Sequence, residues 1–147
     1  MQNLFKKAPF REVLARLEKI DASSNPQWGK MNAPQMMNHC QKPLLIALGK
    51  TDFGLKKNLL ARWFFKKQMY NDRPWPKGMK TPESFKVEEQ KDFSEEKDRL
   101  TGLIQELYAL RDQEHWPEHP VFGRFTKEQL GKMQFKHLDH HLRQFGV

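Results

Sequence analysis

The last 22 residues, from Thr126 to Val147, carry the strongest structural signal in the chain, that of one amphipathic helix. Thr126 and Gln129 have the spacing of a helix-opening capping box, and Gly146 stands where a helix usually ends. One broad face of this helix is apolar and contains Leu130, Met133, Leu138, Leu142 and Phe145. The segment predicts a single helix of about five turns.

Two histidines, His137 and His141, lie within the apolar face of this terminal helix. Residues four apart lie one above the other on a helix, with Cβ atoms roughly 5–6 Å apart, so two such imidazoles can converge on one metal ion. Buried histidines also occur as ordinary hydrogen-bonded core residues, and the pair alone does not decide between these readings. The neighbouring His140 lies at the edge of the apolar face and points elsewhere.

Four earlier stretches also show helical spacing of apolar residues, at about 9–21, 32–49, 55–71 and 92–114. The second opens at Asn32 with Pro34 in its first turn, and the fourth opens with Asp92 and Glu95 in a capping pattern. The third is so apolar that we expect it to be well packed. Prolines in residues 73–92 predict a long loop, and loops of this length often cover a site or make a partner contact. The fold expected is an all-α bundle of four main helices with long loops.

A third histidine, His39, faces the apolar side of the second predicted helix. Together with His137 and His141 it would give three neutral imidazoles from two helices, which leaves coordination positions open for water or substrate. Because a histidine must be neutral to ligate, we expect metal occupancy to fall below about pH 6. His115 and His119 are also four apart, but Pro117 and Pro120 exclude a regular helix, so we expect loop histidines there.

Length and composition favour one globular domain, residues 1–147, in a reducing compartment. The chain has 147 residues, of which 37% are hydrophobic, and it has a single cysteine, Cys40, which cannot form an internal disulfide. No apolar run approaches ~18 residues, and the N-terminus lacks the pattern of a signal peptide. We therefore expect a cytoplasmic protein without a membrane partner.

The positive charge of the chain is concentrated in its first 80 residues, which hold 16 Lys/Arg against 5 Asp/Glu. Such an excess is compatible with a polyanionic partner. However, the lysine pairs do not fall on one helix face, and Lys56 and Lys67 share the arc of Leu60 and Trp63, where lysines snorkelling around an apolar face are the simpler explanation. No nucleic-acid-binding motif is present, so the sequence argues against a nucleic-acid partner.

Three sequence segments resemble the DinB/YfiT-like superfamily, in particular its branch of domains of unknown function. They are W-G-K-M-N-A-P-Q-M-M-N-H-C at 28–40, H-P-V-F-G-R-F-T at 119–126 and K-H-L-D-H-H-L-R-Q-F-G at 136–146. The resemblance covers nearly the whole chain. It implies an up-down-down-up four-helix bundle, frequently a homodimer, that binds a divalent ion through the residues matching His39, His137 and His141. Superfamily members of known activity include thiol-dependent transferases and hydrolases.

Two function classes follow from these observations. The first is a metal-dependent enzyme acting on a small molecule, of the thiol transferase or hydrolase type, with Zn, Ni, Fe or Mn as its ion and a low-molecular-weight thiol as a possible substrate. The second is a non-catalytic basic binding or stress-related module in which a metal is structural or absent. His140 and Gln144 are the nearest polar pocket candidates, although solvated surface positions are the simpler reading of both.

Overall fold

The computed structural model describes residues 2–147, which are all-helical, as expected. Its elements are α1 (Lys7–Glu18), α2 (Ala33–Ala47), α3 (Leu59–Tyr70), a short 3₁₀ helix (Glu83–Phe85), α4 (Phe93–Ala109) and α5 (Lys127–Gln144). The described part of the chain contains no β-strand, only an isolated antiparallel bridge between His119 and Gly123. None of its helices is both long and apolar enough to cross a membrane.

Local capping chemistry fixes where the helices begin. At α5, the Thr126 side chain accepts from the backbone N–H of Gln129, and the Gln129 side chain accepts from the backbone N–H of Thr126. Asn32 and Gln35 make the same reciprocal pair at the start of α2. These side chains satisfy N–H groups that have no partner within the helix, and each cap contributes about 1 kcal/mol.

The core lies between α2 and α4, which pack along each other, and α5, which touches α1, α2 and α3. Leu100, Ile104 and Leu107 of α4 are fully buried, as the spacing of apolar residues in that helix predicts. α5 is held to α1 by an ion pair in which Arg16 lies 2.7 Å from Asp139 and also donates to the carbonyl oxygen of Val147. This packing presents the inner faces of α2 and α5 to one another.

The third helix departs from expectation in its packing. We expected residues 55–71 to form a well-packed helix, but α3 begins at Leu59 and contains no buried residue. Trp63 is 83% exposed, and Leu60 and Phe64 are each 71% exposed. The expectation of burial was wrong. An apolar composition shows that burying the α3 side chains would be favourable, but the tertiary fold decides whether other parts of this chain bury them.

Candidate metal centre

Three buried histidines, His39 of α2 and His137 and His141 of α5, form one cluster. Each offers a ring nitrogen, and these nitrogens all lie within 4.8 Å of one another. His137 and His141 stand one helical turn apart on the buried face of α5, and His39 approaches them from the facing helix. The structure thus brings together the three side chains that the sequence singled out; that they bind a metal ion stays a prediction.

Hydrogen bonding orients His39 toward His137. The Nδ1 atom of His39 lies 2.8 Å from the carbonyl oxygen of Phe85, which can only accept, so Nδ1 carries the proton. The lone pair of a neutral His39 is then on Nε2. That atom faces Nε2 of His137 at 3.1 Å.

His141 is oriented in the same way by Gln144 and Trp28. The Gln144 amide nitrogen donates to the carbonyl oxygen of Trp28 at 2.8 Å, which directs the amide oxygen toward Nδ1 of His141, also at 2.8 Å. Nδ1 of His141 is therefore the donor, and its Nε2 carries the lone pair. An outer hydrogen bond of this kind fixes both the tautomer and the ring orientation of a metal-binding histidine.

The Gln144 contact depends on a glycine in the loop before α2. Gly29 has φ +83°, and a Cβ atom placed there would lie 2.5 Å from the Gln144 amide nitrogen. Any other residue at this position would meet both backbone strain and a steric clash. Residues 28 and 29 thus support the site in two ways. The Trp28 carbonyl accepts the hydrogen bond from Gln144, and Gly29 has no side chain that would displace Gln144.

The third ring, His137, is the least constrained of the three. Its Nδ1 atom is buried and has no hydrogen-bond partner in residues 2–147. A buried polar atom without a partner lowers the stability of the fold. Its presence here therefore indicates that His137 serves a role other than core packing.

Burial keeps all three imidazoles neutral. Desolvation lowers the pKa of His39 and, with the neighbouring imidazoles, lowers the pKa of His137 well below its ordinary value. The pKa of His141 falls to about 3, mainly through burial and then through His39. Neutral rings are the form that ligates metals. The expected loss of metal below about pH 6 therefore shifts to lower pH, because protons compete less well for buried nitrogens than for exposed ones.

Aromatic rings and lysines lie beside the cluster. Trp75, from the long loop after α3, places its ring 5.7 Å from His137 and 5.8 Å from His140, measured between ring centroids. Lys136 lies over the Trp75 ring, and Lys77 lies over the Trp28 ring. The 73–92 loop also supplies the Phe85 carbonyl, so it covers the site, as the sequence suggested for a loop of this length.

The two pocket candidates differ in where the structure places them. His140 is half-buried between Trp28 and Trp75, outside the three-histidine cluster. Gln144 is buried, so the reading of it as a solvated surface residue was wrong. Its contact with His141 could have been predicted from the sequence, because residues three apart share a helix face and Gln144 follows His141 by three residues.

The remaining loop histidines and the cysteine are not members of the cluster. His115 and His119 stand in the irregular segment between α4 and α5, as expected from the prolines. The buried thiol of Cys40 has a strongly raised pKa because of desolvation, so it is not a ready nucleophile.

Comparison with known proteins assigns a family without an activity. No curated protein and no solved structure matches the chain. One family model matches residues 6–146, which is nearly the whole chain. The protein with this three-histidine cluster belongs to the family described as "Protein of unknown function (DUF1569)".

Proposed function

We propose that the chain is a single-domain metalloenzyme in which His39, His137 and His141 bind one divalent ion. The observation that carries the proposal is the convergence of three buried ring nitrogens within 4.8 Å of one another. Two of these rings have their outer nitrogen hydrogen-bonded to an acceptor, which leaves the inner nitrogens as ligands.

The spacing between His39 and His137 fits a shared ion. Nitrogens bound at ~2.0–2.1 Å to one tetrahedral ion lie about 3.3 Å apart. The Nε2 atoms of His39 and His137 are 3.1 Å apart. Without an ion, Nε2 of His137 must carry the single proton of that neutral ring to avoid opposing lone pairs, so metal binding would require this proton to move to Nδ1 of the same ring. Three imidazoles suit Zn, Ni, Fe or Mn, and the donor set does not choose among them.

Three protein ligands leave coordination positions for a substrate. When bound, a divalent ion supplies Lewis acidity that lowers the pKa of a water or thiol in those positions. The chain's own residues hold the ion, Trp75 shields the cluster from bulk water, and Lys77 is placed to meet an anionic group of a small molecule. The reaction proposed, thiol transfer or hydrolysis with a low-molecular-weight thiol as one substrate class, rests on the sequence resemblance.

The architecture proposed with this function is a DinB/YfiT-like four-helix bundle over residues 1–147, with α1, α2, α4 and α5 as its main helices and α3 as an addition. Support comes from the sequence resemblance and from the contacts of α5 with α1 and α2 and of α2 with α4. The small-molecule substrate, the homodimer and the cytoplasmic location belong to the same proposal, and they rest on the resemblance and on the single cysteine.

A metal titration followed by an activity screen tests the proposal. Purified protein is stripped of metal, loaded with Zn²⁺, Ni²⁺, Fe²⁺ or Mn²⁺, and assayed with thiol and electrophile pairs and with esters and amides. We expect one ion per chain and turnover that His137→Ala abolishes. His115→Ala is the matched control, because it removes an exposed loop histidine and should leave both results unchanged.

The non-catalytic reading makes the opposite prediction. If metal-loaded protein shows no turnover, and binds a polyanion equally well with and without His137, the basic binding module is the better description. Failure to bind any of the four metals would contradict the metal centre itself.

A further inference from the structure

The exposed side of α3 is unlike the rest of the molecular surface. Five of the seven large exposed apolar residues of the described chain lie on this one helix, and they are Leu59, Leu60, Trp63, Phe64 and Phe65. We call this group, with the cations that flank it, the α3 surface. Contiguous exposed apolar side chains on one element mark a contact with another molecule or with a membrane.

The chain segment that carries these side chains has charge of a single sign. Residues 53–71 contain five Lys/Arg, namely Lys56, Lys57, Arg62, Lys66 and Lys67, and no Asp or Glu. Arg62, Lys66 and Lys67 line a groove of about 360 Å³ together with Leu59, Trp63 and Tyr70. Lys57 lies 3.9 Å from Glu118, whereas Lys66 donates to the carbonyl oxygen of Arg124. The α3 surface is therefore complementary to a partner with negative charge.

The cations stand among the apolar side chains. Lys67 follows Trp63 by one helical turn, so the two share a face of α3, and Lys67 is exposed. Burial and the neighbouring Arg62 lower the pKa of Lys66, which shows that the cations sit close enough to repel one another. Such a face would be unfavourable against a second copy of itself, because that would bury like charges together.

We propose, in place of the sequence-based expectation of no membrane partner, that the α3 surface binds the face of a lipid bilayer that contains anionic lipids. Leu60, Trp63 and Phe64 enter the boundary between headgroups and acyl chains, and the lysines snorkel outward to lipid phosphates. A nucleic acid would satisfy the cations but would leave the leucines in water. The helix has 12 residues and lies in the plane of the membrane without crossing it.

Vesicle binding tests this directly. The full-length protein is mixed with vesicles of phosphatidylcholine alone or of phosphatidylcholine with phosphatidylglycerol, and bound protein is measured by flotation at low and at high salt. We expect binding to the anionic vesicles that weakens as salt rises, since screening shortens the reach of the charges. Phosphatidylcholine alone should bind the protein at least about tenfold more weakly.

Surface variants locate the contact. Leu60→Glu with Phe64→Glu should lower the partition coefficient by about tenfold or more, because both side chains leave the interface. Their wild-type side chains are already mostly exposed, so the fold should persist, and circular dichroism checks this. Leu110→Glu with Lys19→Glu changes an exposed apolar residue and an exposed lysine outside α3, and should leave binding unchanged.

Bromine-labelled acyl chains measure how deeply Trp63 enters. Trp emission should be quenched on binding, and Trp63→Phe should remove most of that quenching while leaving binding in place. Absence of binding to anionic vesicles, or binding that survives Leu60→Glu with Phe64→Glu, would overturn the proposal. A dimer in sedimentation that these same changes dissociate, without vesicle binding, would assign the α3 surface to a second copy instead.

Discussion

The amide oxygen of Gln144 lies 2.8 Å from Nδ1 of His141, and the amide nitrogen of the same side chain donates to the Trp28 carbonyl. This connection joins the loop before α2 to the histidine pair of α5. It means that the orientation of one proposed metal ligand is set by a segment more than a hundred residues away in sequence.

The first prediction concerns this connection. Gln144→Ala should weaken metal binding about tenfold to a hundredfold, because His141 loses the acceptor that fixes its tautomer. Isothermal titration with Zn²⁺ measures the change. Gln134→Ala is the control: Gln134 is buried on the same helix and bonds to Pro43, so its loss should affect stability but not metal affinity. Equal weakening in both variants would show that Gln144 acts only through the fold.

Gly29→Ala should reduce both stability and metal affinity. The substitution places a methyl group 2.5 Å from the Gln144 amide nitrogen and forces a positive φ on a residue with a side chain, which costs roughly 1–2 kcal/mol by itself. Gly54→Ala separates the two effects, because Gly54 also has a positive φ but has open space where its Cβ would be. Denaturant unfolding and zinc titration of both variants give the comparison. Unchanged zinc affinity in Gly29→Ala would contradict the proposed role of the loop.

Metal removal should leave a folded protein. The side chains of Leu100, Ile104 and Leu107 are fully buried, and each contributes roughly 1.5–3 kcal/mol without any help from an ion. Helical circular dichroism should persist in chelator, and the melting temperature should fall, since an ion at a hundred times its dissociation constant adds about 2.7 kcal/mol. Collapse of the helical signal in chelator would indicate a structural ion.

The pH dependence of folding should include a contribution from His119. Burial, and then Lys66, lower the pKa of His119 to about 4, and its Nδ1 accepts from the backbone N–H groups of Val121 and Phe122. In the unfolded chain the His119 imidazole binds a proton more readily than it does in the folded protein. Stability is therefore lost as pH falls from about 6.5 toward 4.

His119→Asn tests that contribution, because the asparagine oxygen can replace Nδ1 as an acceptor but does not titrate. Between pH 7.5 and pH 5 the wild type should lose about 1–2 kcal/mol more stability than this variant. Urea unfolding at the two pH values measures the difference. A pH dependence of stability in His119→Asn that equals that of the wild type would contradict the contribution of His119.

Much of the helical structure was predictable because its signals are local. The capping pairs Thr126 with Gln129 and Asn32 with Gln35 act over three residues, and the structure shows both. The shared buried face of His137 and His141 likewise follows from their spacing. The boundaries were less accurate: the helix predicted to reach residue 114 ends at Ala109, because periodicity does not mark where a helix frays.

The exposure of α3 and the outer contacts of the site were not predictable. Sequence spacing cannot tell whether an apolar helix face packs against another part of the chain. The face of α3 that carries Trp63 does not. Nor can it identify a backbone carbonyl as a hydrogen-bond acceptor, since every residue has one; that of Phe85 becomes special only because the 73–92 loop brings it to His39.

An all-helical chain and three candidate imidazoles could be predicted without the fold, since helix periodicity and side-chain chemistry are properties of each local stretch of residues. The tertiary structure decided that His39, 98 residues before His137, comes within 3.1 Å of it, that burial keeps the cluster neutral, and that Gln144 and Phe85 orient two of its rings. The physical reason is that desolvation and hydrogen-bond geometry depend on what surrounds a side chain, and those surroundings come from distant parts of the chain.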